Sequence, residues 1–269
     1  MKKSLKIAFV LSLALANGLL AQEEMNVGDT PIVTDRPSQT YSSFVVPKGV
    51  FQIESGFGYS QNELFGANSS FSIESIALNS LQLRYGISKN IELRLFQNIS
   101  LDRFGSRGDK ITSDLLFAPT SIGTKIRIVD EQGFRPQISF LAEFGSEIFS
   151  DLGNENIKVF RFNFSNTISS KFSIAYGLGM NFGTDFENSN TSITLLGSYA
   201  VSPKISVFGE YYGILNQDFF NTHNYDFGAT YLVNNNLQLD MYIGSYFKKQ
   251  ITSADLIFGL GFSTRIFKK

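Results

Sequence analysis

Twelve charged residues stand out because each sits at alternate positions of an otherwise apolar run: Glu54, Arg84, Glu92, Arg94, Lys125, Arg127, Glu143, Arg161, Glu210, Asp226, Asp240 and Arg265. An ion spaced two residues from the next Phe, Ile or Leu marks the polar face of a β-strand. Positive and negative members balance, which suits paired or hydrated charges lining a polar interior. A sharper arrangement is also open. Arg84, Arg94, Lys125, Arg127 and Arg161 can form one cationic wall facing Glu210, Asp226 and Asp240, and such opposed walls select solutes by charge or dipole. Two further charges, Asp35 and Arg36, lie in a polar run before the first strand and are candidates to pair inside that interior.

Covalent chemistry has less to stand on. The single histidine, His223, lies beside Thr222 and Asn224, and a Ser–His–Asn lipid hydrolase needs a serine that nothing here distinguishes from the others. With no cysteine there is neither a thiol nucleophile nor a thiolate metal site. No catalytic residue, metal or cofactor is therefore assigned, and the chain reads as a non-enzyme.

The elements that carry the twelve ions form a repeated template. Phe51, Ile53, Phe57 and Tyr59 alternate with Gln52, Glu54, Gly56 and Gly58, and the same pattern continues to Ile266. The seventh repeat is the clearest, with Phe172, Ile174, Tyr176, Leu178, Met180 and Phe182 on one face and Gly, Ser, Ala and Asn on the other. Short turns such as Gly86–Asn90, Ser169–Lys171 and Asn234–Asn236 alternate with longer polar segments, among them residues 60–74. Near Asn79–Ser80 the phase slips, the sign of a β-bulge.

Twelve strands result, an all-β, antiparallel transmembrane β-barrel in which the apolar face meets lipid and the polar face meets a narrow lumen. A soluble barrel would carry plentiful Lys and Glu on its polar face, whereas Gly and Ser prevail there. Aromatic residues at strand ends, Tyr85, Phe172 and Tyr199 at one level and Phe182, Tyr225 and Phe247 at the other, suit the two membrane interfaces.

The chain has 269 residues, 23 Lys and Arg against 24 Asp and Glu, and a net charge of −1, which gives no basic surface for nucleic acid. Residues 1–21 read as a signal peptide, with Lys2, Lys3 and Lys6 before an apolar core and Ala21 before the cut. Residues 22–48 form an irregular segment carrying Pro37 and Pro47, either a lumen plug or a loose tail, and residues 49–269 form the barrel. The even strand number puts both termini on the periplasmic side of a Gram-negative outer membrane. The partners expected are outer-membrane lipid, the barrel-assembly machinery and a small-molecule solute.

The runs Thr34–Pro37, Val46–Gly49 and Gln52–Phe57, followed by Leu83–Arg94, resemble the N-terminal signature and second hairpin of a family of outer-membrane transporters labelled "MetA-pathway of phenol degradation". The resemblance implies a porin-like channel for small compounds. The stretch from Gly105 to Thr124 departs from it, having only Gly108–Asp109 where an acidic, Gly-rich entry to the fourth strand is expected. A channel or diffusion transporter is thus the leading function, a closed structural or surface-interaction barrel the second, and a lipid hydrolase the last.

Overall fold

Alternating sequence builds strands whose two faces differ, and in the computed structural model these strands close on one another. The structure describes residues 27–65, 70–106, 112–146, 157–183, 189–216, 222–247 and 254–267. The expected signal peptide and residues 22–26 lie outside them. The chain divides into two units, residues 1–30 and residues 31–269. In the first, Val27–Asp29 forms a 3-10 turn. No helix among the described residues is long and apolar enough to cross a membrane.

The second unit contains β1 (Phe51–Phe65), β2 (Ser70–Ser88), β3 (Ile91–Ser106), β4 (Thr112–Phe117), β5 (Thr120–Val129), β6 (Gln137–Ser146) and β7 (Ile157–Thr167). It continues with β8 (Phe172–Phe182), β9 (Ser189–Ala200), β10 (Ile205–Asn216), β11 (Thr222–Asn234), β12 (Leu237–Tyr246) and β13 (Ala254–Ile266). Neighbours pair antiparallel, and β1 pairs with β13, from Phe51 opposite Ile266 onward, which closes the ring. Two segments share one place in it. β5 pairs with Ile91–Phe96 of β3 and β4 with Ile99–Phe104. They are one stave interrupted at Ala118–Pro119, so thirteen segments make a closed barrel of twelve staves.

Proline has no N–H to give the ladder, and the interruption is repaired from the facing strand. Ala118 N donates to Asn98 O at 3.0 Å, and Gln97 Nε2 donates to Ala118 O at 2.7 Å. This break falls within the Gly105–Thr124 stretch that departs from the family pattern.

The burial pattern is inverted relative to a water-soluble protein. Phe57 and Ile122 are 62% and 61% exposed, whereas Glu54, Glu92 and Lys125 are 0% exposed. Only an apolar solvent makes this arrangement favourable, and a closed ring leaves no unpaired edge in that solvent. On the outer face the aromatic side chains pack across strands, with Phe140 and Phe162 tilted at 5.0 Å and Phe164 and Tyr176 stacked at 4.9 Å. Two large apolar residues, Leu141 and Phe208, are buried on the inner face instead.

The expected loop between residues 60 and 74 is mostly strand: β1 runs to Phe65 and β2 starts at Ser70. The alternation stops earlier because strands that rise beyond the apolar belt have water on both sides, and the ladder alone sustains them. The register slip falls where the phase change is, between Ala77 and Asn79 on β2. One end of the barrel carries the short turns, together with the entry to β1 and the exit from β13. There Gly49, at φ 76°, turns the incoming chain into β1.

Candidate functional site

Period-two alternation sends Glu54, Arg84, Glu92, Arg94, Lys125 and Glu143 to the inner face of β1, β2, β3, β5 and β6, and adjacency of those strands brings them together. Arg84 Nη1 binds Glu54 at 2.8 Å, while its Nε and Nη2 bind the two oxygens of Glu92 at 2.9 Å each. Arg94 donates to Glu92 and to Glu143, both at 2.9 Å. All six are buried. Charges this far from water persist only when paired and hydrogen-bonded, which this network accomplishes.

The network is completed by a segment without regular secondary structure, residues 31–49. The Asp35 carboxylate accepts from Arg94 at 2.6 Å and from Lys125 at 3.0 Å, with Arg84 Nη1 3.7 Å away. Ser42 N donates to Oδ1 of the same carboxylate at 2.9 Å. The backbone N–H groups of Asp35 and Arg36 donate to Glu54 at 3.0 and 2.9 Å, and Val46 N donates to Glu92 at 2.6 Å. Burial by itself raises the Asp35 carboxyl pKa, but Arg84, Lys125 and Arg94 outweigh it and hold the group far below the usual carboxylate range. Asp35 is charged at every physiological pH.

Arg36, the next residue, points to the adjoining sector formed by β12, β13, β1 and β2. Its guanidinium binds Asp240 of β12 at 3.0 Å and Ser80 of β2 at 3.0 Å. It lies on Gly56 and Gly261, which face each other across β1 and β13, and a Cβ on either glycine would overlap it. Farther along, Gln39 N donates to Glu210 at 2.8 Å, and Thr40 donates to the same carboxylate through both its N–H and its hydroxyl. Arg161 Nη1 donates to Gln39 O at 2.9 Å. The Tyr41 ring has Arg94 over it at 5.1 Å and Arg161 at 4.7 Å, and burial, then the nearby Glu143 charge, push its hydroxyl up to about 12. Ser43 Oγ donates to Ser165 of β7 at 2.9 Å. A segment that touches β1, β2, β3, β5, β7, β10 and β12 lies within the ring.

The remaining charges are elsewhere. Arg127 is at the turn end, 3.2 Å from Asp130 and bonded to Asn90. Arg265 Nε donates to Asn236 Oδ1 at 2.8 Å. Asp226 sits opposite Glu210 in the β10–β11 register, 1% exposed, with neither oxygen near a donor among the described residues. The arrangement of one cationic wall is thus corrected. Glu54, Glu92 and Glu143 interleave with Arg84, Arg94 and Lys125, because carboxylates at alternate positions of neighbouring strands fall beside those cations. Arg127 and Arg161 stand apart from that network.

The segment's ends are tied by backbone. Ile32 N donates to Asn235 O at 2.8 Å, Gly49 N donates to Gly86 O at 2.8 Å, and Lys48 forms a parallel bridge with Gly86. A Cβ on Gly86 would overlap the carbonyl oxygen of Pro47, a backbone atom that cannot swing aside. Gly86→Ala should therefore loosen the segment. In a Ser43→Cys background, where the new thiol replaces a side chain that is 0% exposed, alkylation should quicken several-fold in Gly86→Ala. An unchanged rate would show that the segment is not held by this approach.

Sequence reasoning anticipated the charged lining but missed the partners supplied by uncharged residues. Ser80, Gln39, Thr40 and Tyr41 carry no signal of their own. Gly56, Gly86 and Gly261 do, since glycine at polar-face positions of a strand marks a close approach. His223, at the outer face of β11, has its Nδ1 2.6 Å from the Tyr211 hydroxyl, with Phe247 packed against that tyrosine. Among the described residues no group of three His, Cys, Asp or Glu side chains is placed to hold a metal ion.

The family model described as "Putative MetA-pathway of phenol degradation" matches residues 34–266. No curated protein matches the sequence. Among solved structures, the chain resembles the COG4313 outer membrane channel from Pseudomonas putida F1, with 12% identity, 86% of this chain and 100% of that one covered, and a TM-score of 0.66. It also resembles the transport unit of the autotransporter AIDA-I from Escherichia coli, with 12% identity, coverage of 95% and 97%, and a TM-score of 0.57. The Pseudomonas putida toluene transporter TodX matches with 6% identity, coverage of 90% and 99%, and a TM-score of 0.50. At these identities the likeness is one of fold.

Proposed function

The chain belongs to the family described as "Putative MetA-pathway of phenol degradation", and on that premise we propose that it is an outer-membrane channel or diffusion transporter for small solutes. The observation that carries the reading is a closed ring whose interior is charge-lined and polar apart from Leu141 and Phe208, crossed by a segment that touches seven of its strands and is bonded to their side chains. Glu54, Arg84, Glu92, Arg94, Lys125, Arg127, Glu143, Arg161, Glu210, Asp226, Asp240 and Arg265 are its lumen and selectivity residues. Of the segment 22–48, the part from Pro31 to Lys48 restricts the lumen from the turn end, with Asp35 and Arg36 as the anchors. The turn end, and with it both termini, faces the periplasm. Outer-membrane lipid surrounds the apolar face, and the barrel-assembly machinery inserts it. The similar COG4313 protein is itself an outer membrane channel, in keeping with this function.

The same segment favours a second reading, a barrel that stays closed and serves a structural role. Planar-bilayer recordings of the refolded protein separate the two. A channel gives discrete conductance steps, together with flux of small solutes from loaded vesicles. Silence in both measurements, for the full chain and for a form lacking residues 22–48, leaves the closed barrel.

A further inference from the structure

The geometry points to Arg84, Arg94 and Lys125 as a binding site for the carboxylate of a small solute, with Asp35 occupying it as the chain's own competing carboxylate. The inference rests on the channel reading above for the route by which the solute arrives, and it adds the chemical class.

Three features support it. The first is the shape of the site. Asp35 presents two oxygens, and each accepts two hydrogen bonds: Oδ1 from Lys125 and Ser42 N at 3.0 and 2.9 Å, and Oδ2 from Arg94 and Lys125 at 2.6 and 3.0 Å, of which Arg94 and Lys125 are supplied by the barrel. A planar, two-oxygen anion satisfies this set.

The second is that the barrel builds most of the site without the segment. Arg84 is fixed by Glu54 and Glu92, and Arg94 by Glu92 and Glu143. Both guanidinium groups are thus held by wall carboxylates independently of Asp35. Lys125 does not have that support. Its ammonium bonds Asp35 at 3.0 Å and the Ser42 carbonyl at 2.9 Å, both on the segment, and the nearest wall carboxylate, Glu92, is 3.9 Å away. A cation that is 0% exposed and loses its anion strongly favours another one.

The third is the way the segment is held. Its backbone-to-backbone bonds to the barrel are near its ends, at Ile32 and Gly49, and between them it is held by side-chain contacts. A solute carboxylate that replaces Asp35 can release the middle of the segment while the ends remain tethered, which couples solute binding to widening of the lumen. A charged lining of this kind is a poor binding surface for hydrocarbons, so the solute class does not follow from the toluene transporter whose fold the chain shares.

The test uses the full-length mature protein with Ser43→Cys, which supplies the only thiol in a chain without cysteine. Sodium acetate is the probe, against acetamide as the uncharged isostere and sodium chloride at equal ionic strength. Folding of each form is checked by heat-modifiable gel migration. Acetate should quicken alkylation of the introduced thiol several-fold, and acetamide and chloride should not. Calorimetry should show that Asp35→Asn binds acetate more tightly than the parent, and Lys125→Met more weakly. A parent in which acetate acts no differently from chloride, or an Asp35→Asn form that binds acetate no tighter, overturns the proposal. Conductance is measured on the same preparations. Conduction with no acetate effect defeats the carboxylate site and leaves the channel; an acetate effect without conduction does the reverse.

Discussion

Deleting residues 22–48 is expected to raise the conductance of the refolded barrel several-fold. Twelve staves enclose a lumen between the filled interior of a barrel with about eight strands and the open channel of one with about sixteen. In so narrow a passage a segment of chain reaching from Ile32 to Gly49 takes up a large share of the section. It also bridges the walls: Asp35 binds cations of β3 and β5, while Arg36 binds the Asp240 carboxylate of β12. Removing it does not strand a net charge. The lumen set contains six cations and six carboxylates, so water and mobile ions can fill the vacated space. The barrel itself should survive, because every ladder from β1 round to β13 is formed without the segment. Planar-bilayer steps for the full and shortened chains, with gel heat-modifiability as the check on folding, give the answer. Equal step sizes in two folded forms would mean that the segment does not obstruct the path.

Arg84→Ala should produce the largest loss of stability of any single substitution in the lumen, about 3–5 kcal/mol, the cost of breaking a buried ion pair by removing one partner. Arg84 joins β2 to β1 through Glu54, to β3 through Glu92, and to the segment through the Phe44 carbonyl at 3.1 Å. The network holds three cations, Arg84, Arg94 and Lys125, against four carboxylates, Asp35, Glu54, Glu92 and Glu143. Without Arg84, two cations face four carboxylates. Reversible urea unfolding in lipid vesicles measures the change, and adding Glu92→Ala should cost less than the sum of the two single substitutions, because the pair shares its bonds. A loss below about 1 kcal/mol would place Arg84 with hydrated surface pairs instead.

The family signature acquires a physical role in these terms. In Thr34–Pro37, Asp35 takes three cations and Arg36 a carboxylate, while the backbone of both residues meets Glu54. Val46–Gly49 brings Val46 N to Glu92 and passes so close to Gly86 that only glycine fits there. Gln52 binds the Val33 carbonyl at 2.9 Å, so the first strand and the leader recognise each other. The two halves of the signature are one contact surface, and the Gly86→Ala and Arg84→Ala substitutions both probe it from the inner face of β2.

Local order determined much of this protein. The period of two assigned each charge to a face before any partner was known, because successive side chains of a strand point to opposite sides whatever the strand pairs with. The strand number, the inward ions and the outward Phe and Ile all follow from it. The interruption at Ala118–Pro119 and the strand extensions beyond Tyr59 did not, since the ladder that sustains them is made by residues far away in sequence. Tertiary structure alone decided who meets whom. Asp35 and Lys125 are 90 positions apart, and Arg36 and Asp240 are 204 apart. Each of these pairs forms only when the ring has closed and placed opposing strands across the narrow lumen. The polar leader before Gly49 has no periodicity to read, because no ladder or amphipathic face shapes it. Its conformation is set by the charges of the walls around it, and those become a site only in the finished barrel.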